Sequence, residues 1–210
     1  MVPARGMPAR PPIEAIAIGA SAGGVTALLQ LFAVLGPDFR LPIFVVLHMP
    51  EDHDSGLAEL FDARLPIPVH EAIDKMAIEP GSLYFSPPGY HLQVEADGSF
   101  SLSCEPPVLF SRPSIDVLFE TAAFAYGSRL AAILLTGASE DGAAGLAAVH
   151  ALGGFTAVQD PADAQIATMP QAAIDRHPPD RVLPLSGLQH LLLELHNAAR
   201  PIAAEASRKA

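Results

Sequence analysis

Cysteine is nearly absent from this chain of 210 residues, in which Cys104 is the only one. A single cysteine cannot form an internal disulfide or supply the several thiolates of a structural zinc site. Positive charge is also scarce, with 12 Lys and Arg against 23 Asp and Glu and a formal net charge of −11. Nucleic-acid binding needs a surplus of cationic side chains on one face, so this balance argues against such a partner.

Long apolar runs are missing as well. No stretch of the sequence approaches the roughly 18 consecutive apolar residues of a transmembrane helix, so we expect no membrane insertion. The first residues, MVPARGMPARPP, contain two arginines but no apolar segment after them, which does not fit a secretory signal. We therefore expect a cytoplasmic protein.

The composition that remains is that of a folded domain, with 50% hydrophobic and 17% charged residues. Four prolines in residues 1–12 predict a disordered tail, and residues 200–210 resemble a second one. Between them we expect a single domain over residues 13–199.

Short apolar strands alternate with amphipathic helical patterns along that domain. The alternation predicts an α/β fold with a doubly wound, mostly parallel sheet and helices on both faces. The clearest predicted strands span residues 13–19, 43–47, 130–136 and 155–159. Residues 82–86, 92–95 and 100–104 predict an antiparallel excursion around 82–104, with Asp97-Gly98 as a hairpin turn.

The end of the first strand carries a G-x-S-x-G turn centred on Ser21. Small residues let the chain turn sharply between strand and helix, which exposes the serine hydroxyl as a candidate nucleophile. A phosphate-binding turn is the alternative, but its G-x-G-x-x-G pattern needs glycine where Ser21 stands. That motif also requires an acidic residue near the end of the second strand, where this chain has His48.

His48 and Asp141 follow two further predicted strands. At a strand end, His48 either caps the strand or acts as the base that a serine nucleophile requires. Asp141 alone predicts an N-cap for the helix that follows it. Because ligands bind beyond the carboxyl ends of parallel strands, Ser21, His48 and Asp141 together predict a Ser-His-Asp triad. No histidine spacing fits a metal site, and we expect no metal and no cofactor.

Three segments, IGASAGG, VVLHMP and ILLTGASEDGAAGL, resemble the catalytic domain of the CheB family of chemotaxis receptor methylesterases. The segments YFSPPGYHL, RPSIDVLFETAA and AVQDPADAQIATMPQAAI extend the resemblance over roughly residues 13–195. The resemblance implies hydrolysis of glutamyl γ-methyl esters on chemoreceptor helices, and also deamidation of receptor glutamines. It assigns the nucleophile to Ser21, the histidine to His48 and the carboxylate to Asp141.

The chain departs from the family pattern at several points. Ala22 stands where the family often has threonine, and Ala138 stands where a Gly-Met-Gly-x-Asp-Gly loop would have methionine. Chemotaxis members usually carry an N-terminal receiver domain, but only about a dozen residues precede the first strand. We therefore expect regulation without that domain.

The sequence also offers candidates for oxyanion stabilisation and for substrate binding. The backbone N–H groups at Ala22 and Ala138 are candidate oxyanion donors. Arg112 precedes a helix in a chain with few cations, and it either steers an acidic substrate or is a surface arginine of a loop. Cys104 is expected to be a small buried strand residue.

Two alternatives remain open from the sequence. The first is a serine esterase or deamidase whose substrate is unrelated to chemoreceptors. The second is a signalling module without catalytic activity that keeps the fold and binds a methylated or acidic partner.

Overall fold

The computed structural model describes residues 11–49 and 56–199 of the chain. Its strands are β1 (Ala15–Ala20), β2 (Ile43–Leu47), β3 (Val69–Glu71), β4 (Leu83–Phe85), β5 (His91–Val94), β6 (Phe100–Ser103), β7 (Leu130–Leu134), β8 (Phe155–Gln159) and β9 (Arg181–Leu183). Seven of them form one sheet in the order β3-β4-β2-β1-β7-β8-β9, and every pairing in it is parallel. The predicted doubly wound, mostly parallel α/β fold is therefore confirmed.

The central strands are buried along their whole length. Every residue of β1, β2 and β7 is inaccessible to solvent or nearly so, as expected for a parallel sheet covered on both faces. Ile16 and Ile18 of β1 point to one core, while Ala15 and Ala17 point to the other. The near-continuous apolar runs in the sequence follow from this double coverage.

Within residues 11–49 and 56–199, six α-helices cover the two faces of the sheet. On one side lie α1 (Gly24–Phe32), α2 (Leu57–Asp62) and α6 (Leu185–Ala198). On the other lie α3 (Ile115–Tyr126), α4 (Ala143–Ala151) and α5 (Thr168–Arg176), together with the β5-β6 hairpin. Helix α3 packs closely on β1, since a Cβ at Gly19 would lie 2.3 Å from Cγ2 of Ile115.

The antiparallel excursion is confirmed only in part. Strands β5 and β6 pair antiparallel around Gly98, which has a φ of 81°. Residues 82–86 were wrongly predicted to belong to this excursion, because β4 pairs in parallel with both β2 and β3. Leu83, Tyr84 and Phe85 are all buried, which is the pattern of a strand covered on both faces.

Other sequence predictions met mixed outcomes. Helix α5 begins at Thr168, two residues before the predicted start at Pro170. Cys104 is exposed beyond the end of β6, so its predicted burial is wrong. The predicted tails, over residues 1–12 and 200–210, lie outside the described residues except for Pro11 and Pro12. The single domain over 13–199 stays a prediction.

Candidate active site

The three candidate residues follow three adjacent strands at the centre of the sheet. Ser21 follows β1, His48 follows β2, and Asp141 lies in the loop after β7. The strand order changes direction at β1, which has β2 on one side and β7 on the other. In open α/β sheets such a switch point leaves a crevice at the carboxyl ends of the strands, where ligands bind.

Backbone pairing holds the three strand ends in register. The His48 N–H donates to the Ala20 carbonyl at 3.0 Å, and the Ser21 N–H donates to the Thr136 carbonyl at 3.0 Å. The Thr136 hydroxyl donates to the carbonyl of Ala22 at 2.9 Å. The turn that carries Ser21 is therefore tied to the strands on both sides of it.

The turn after Ser21 needs glycine for steric reasons. Gly23 has a φ of 81°, and the Gly24 N–H donates to the Ser21 carbonyl at 2.7 Å. A Cβ at Gly24 would lie 2.4 Å from Cδ1 of Leu47, so a side chain there would clash with the end of β2. The glycines allow the turn to begin helix α1 directly behind the serine.

His48 and Asp141 are joined by a short hydrogen bond. Nε2 of His48 lies 2.7 Å from Oδ2 of Asp141. An ionised carboxylate only accepts hydrogen bonds, so the network assigns the histidine proton to Nε2. Nδ1 is then left as the nitrogen that can accept a proton from a nucleophile.

Asp141 is fully buried and saturated with donors. Besides His48, its carboxylate accepts the backbone N–H of Ile115 at 2.7 Å, the backbone N–H of Asp116 at 3.0 Å and the Ser114 hydroxyl at 2.9 Å. These donors form the first turn of α3, so Asp141 caps that helix. The sequence predicted a cap for α4, which is wrong, because Gly142 holds the N-cap position of α4 with a φ of 97°.

The same contacts decide the charge of Asp141. Burial by itself would raise the pKa of this carboxyl, but the hydrogen bonds from His48, Asp116 and Ile115 favour the ionised form more strongly. The net effect is a pKa below the usual value of 3.8. Asp141 is therefore a carboxylate at neutral pH, as the partner of an imidazolium must be.

A second buried carboxylate, Asp116, supports the first. Its Oδ1 accepts the backbone N–H of Gly142 at 2.9 Å and that of Gly145 at 2.6 Å, at the start of α4. The pKa of Asp116 is raised to about 6, because burial and the nearby charge of Asp141 together outweigh the two N–H donors that lower it. The sequence analysis missed this residue, although its place in the RPSID segment after Ser114 was visible.

Ser21 and His48 line the same open cavity of about 320 Å³, together with Gly23, Met49 and Gln165. Within the described residues no hydrogen bond joins the Ser21 hydroxyl to His48. The hydroxyl of Ser111 is within hydrogen-bonding distance of the imidazole, with its Oγ 3.5 Å from Nδ1 of His48. The structure thus unites His48 with Asp141 directly, and Ser21 with His48 through a shared cavity.

His91 is a second supporting residue that the sequence analysis did not select. It is buried, and its Nδ1 accepts the backbone N–H of Ser114 at 3.1 Å, while Nε2 lies 3.2 Å from the carbonyl of Pro106. It therefore fixes the residue immediately before α3, next to the donors that bind Asp141. A buried histidine in a hairpin strand carries no sequence pattern that distinguishes this role.

The remaining predicted residues lie at the margins of the site. Ala22 and Ala138 are both exposed, and within the described part of the chain their N–H groups donate no hydrogen bond. Arg112 is half-buried, and its Nη1 donates to the carbonyls of Cys104 and Glu105, each at 3.3 Å. These contacts tie two loops together, and a role of Arg112 in substrate steering stays a prediction.

Comparison with protein families gives one match across most of the chain. The family model described as CheB methylesterase matches residues 16–192. The chain belongs to the CheB methylesterase family. The matched residues include Ser21, His48 and Asp141, and the helices α3 and α4.

Relatives within the CheB methylesterase family are similar over most of this chain. A Leptospira interrogans protein is 43% identical over 182 residues, which are 87% of this chain and 94% of that protein. A protein-glutamate methylesterase/protein-glutamine glutaminase of Hahella chejuensis is 43% identical over 174 residues, which are 81% of this chain but 48% of its own length. The chain therefore spans nearly all of the first protein and about half of the second.

A solved structure of the CheB methylesterase family has the same fold. The crystal structure of the Thermotoga maritima CheB methylesterase catalytic domain superposes with a TM-score of 0.83 at 32% sequence identity. The match covers 87% of this chain and 98% of that domain. Among residues 11–49 and 56–199, no helix is both long and apolar enough to cross a membrane, and no three His, Cys, Asp or Glu side chains cluster as metal ligands would.

Proposed function

We propose that this protein is a serine hydrolase that removes methyl groups from glutamyl γ-methyl esters of chemoreceptor-type signalling proteins in the cytoplasm. The observation that carries the proposal is the 2.7 Å bond between His48 and the buried Asp141 at the cavity that Ser21 lines. A buried carboxylate that orients an imidazole, with a half-buried serine lining the same cavity, is the arrangement of a nucleophilic hydrolase.

The first step forms an acyl-enzyme. The Ser21 oxygen attacks the ester carbonyl, and Nδ1 of His48 takes the hydroxyl proton. Asp141 holds the proton on Nε2 and stabilises the imidazolium that forms. The tetrahedral intermediate collapses as its C–O bond to methanol breaks, and His48 returns the proton to that leaving oxygen.

The second step regenerates the enzyme. His48 takes a proton from water, the resulting hydroxide attacks the acyl-enzyme, and the bond to Ser21 breaks with return of the proton to its oxygen. The products are a glutamate side chain and free serine. A glutamine side chain would follow the same path and release ammonia in place of methanol, which accounts for a deamidase activity.

The developing oxyanion requires donors that the fold does not already use. The N–H groups of Ala22 and Ala138 meet this condition within the described residues. Ala22 also lies at the start of α1, where the helix dipole favours negative charge. Each such donor contributes about 3 kcal/mol to the transition state in hydrolases of this kind.

The test combines a covalent probe with a product assay. A fluorophosphonate should label the wild-type protein, and the label should disappear in Ser21→Ala. Methanol release from a methylated chemoreceptor fragment should disappear in the same variant, and Cys104→Ser, which changes an exposed residue beyond β6, should keep both activities. Labelling without methanol release would favour an esterase with another substrate, and absence of both would favour a binding module.

A further inference from the structure

The hairpin turn between Val108 and Ser111 has an unfavourable backbone. The Ser111 N–H donates to the Val108 carbonyl at 2.8 Å, and the Val108 N–H donates to the Ser111 carbonyl at 3.1 Å. Leu109 and Phe110, the two residues between them, have φ values of 46° and 65°. Tight turns with two positive φ values favour asparagine and glycine, because a side chain is strained in this conformation.

Both strained residues are apolar and face solvent. Phe110 is 103% exposed and Leu109 is 49% exposed, so neither side chain repays its backbone strain by burial in the core. Single exposed apolar residues are ordinary on protein surfaces. Two adjacent ones on a strained turn do not serve the stability of the fold, and strained residues of this kind concentrate at binding sites.

The turn stands directly beside the candidate active site. Ser111, its last residue, places Oγ 3.5 Å from Nδ1 of His48. Phe110 immediately precedes Ser111, so their Cα atoms are about 4 Å apart. Any protein surface that delivers an ester to His48 therefore comes close to this apolar tip.

The size of the cavity and the charge of the protein indicate that a protein substrate also binds outside the cavity. A cavity of about 320 Å³ accommodates one ester side chain and little more of a protein substrate. The formal charge of −11 repels acidic surfaces, whereas a methyl ester is a neutral glutamyl side chain. Apolar contact outside the cavity is a source of affinity for a protein substrate that this charge does not oppose.

We propose that Leu109 and Phe110 form a docking tip for an α-helical protein substrate, packing against the apolar side chains next to the esterified glutamyl residue. On a helix, residues three or four positions away lie about 5–6 Å from the ester-bearing residue, which suits a tip next to the catalytic histidine. Aromatic side chains that become buried when two proteins associate are a common source of binding energy. This inference rests on the proposed methylesterase function.

The test compares two substrates with one enzyme. The protein substrate is a methylated helical fragment of a chemoreceptor, and the small substrate is a short peptide with one glutamyl γ-methyl ester. Phe110→Ala should lower the ratio of kcat/KM for the protein to kcat/KM for the peptide about tenfold or more. Phe124→Ala, which removes another exposed phenylalanine, near the C-terminal end of α3, should leave that ratio as in the wild type.

A second variant separates binding from folding. Leu109→Asn combined with Phe110→Gly provides the residues that this turn prefers, so the melting temperature should rise while the substrate ratio falls. A ratio that stays at the wild-type value in both variants would overturn the docking tip and leave the proposed function standing. A wild-type protein that hydrolyses neither substrate would overturn the proposed function, and the docking tip with it.

Discussion

Asp116 and Asp141 cap each other's helices. The carboxylate of Asp141, which precedes α4, accepts the N–H groups of Ile115 and Asp116 at the start of α3. The carboxylate of Asp116 in α3 accepts the N–H groups of Gly142 and Gly145 at the start of α4. Because the two helices hold one another in this way, the position of the carboxylate that binds His48 depends on both.

Asp141→Asn should impair catalysis and folding together. An amide cannot hold the imidazole as a carboxylate does, and its NH₂ group cannot accept the backbone donors of α3. We expect kcat for methanol release to fall about 10³–10⁴-fold and the free energy of unfolding to fall by about 3 kcal/mol. Denaturant unfolding with Ser21→Ala as the control separates the effects, since that variant should lose activity with little change in stability.

Asp116 should make stability fall as the pH rises from about 4 to 6. Its pKa is raised from 3.8 to about 6, so the folded state binds a proton more tightly than the unfolded state in that window. The contribution is about 3 kcal/mol at full extent. Asp116→Asn, which keeps an acceptor for Gly142 and Gly145, should gain stability relative to the wild type by that amount between pH 4 and pH 7.

Asp141 changes the stability of the fold with pH in the opposite direction. Its pKa lies below 3.8, so its contribution is complete above that pH and is lost as the pH falls further. Chemical denaturation measured from pH 3 to pH 7 distinguishes the two carboxyls. Equal pH profiles for the wild type and Asp116→Asn would contradict the raised pKa of Asp116.

Gly145→Ala should destabilise the protein although alanine is the better helix former. A Cβ at Gly145 would lie 2.7 Å from the Cβ of Phe119 and 2.9 Å from backbone atoms of Asp116. The helices α3 and α4 would have to separate, at a cost of about 1–3 kcal/mol. We expect a lower melting temperature and a lower kcat, and a stabilised variant would show that the helices tolerate the separation.

Ser111 and Ser21 compete as nucleophiles on geometric grounds, and labelling distinguishes them. Ser111 is the hydroxyl within 3.5 Å of Nδ1 of His48, whereas Ser21 has the helix terminus behind it. Peptide mass spectrometry of the fluorophosphonate-treated protein should find the label on Ser21. Ser111→Ala should still be labelled, and a label that disappears in this variant alone would reassign the nucleophile.

Most of the strands and helices of the fold could be predicted from local patterns in the sequence. Continuous apolar runs such as Ile43–Leu47 and the helical spacing after Ser21 were sufficient to predict the alternation of strands and helices. The G-x-S-x-G turn identified Ser21 in the same way, because Gly23 has a positive φ and a Cβ at Gly19 would lie 2.3 Å from Cγ2 of Ile115. The segment 82–86 was misassigned because strand direction depends on the partner, which no local pattern records.

The sequence by itself determined the strand ends that carry Ser21, His48 and Asp141, because hydrophobic periodicity and glycine turns are properties of neighbouring residues. Only the tertiary structure decided which helix Asp141 caps, that Asp116 and His91 support it, and that the turn ending at Ser111 lies beside His48. These are contacts between segments far apart in the chain, and their energies come from burial and hydrogen bonding that exist only once the segments have packed.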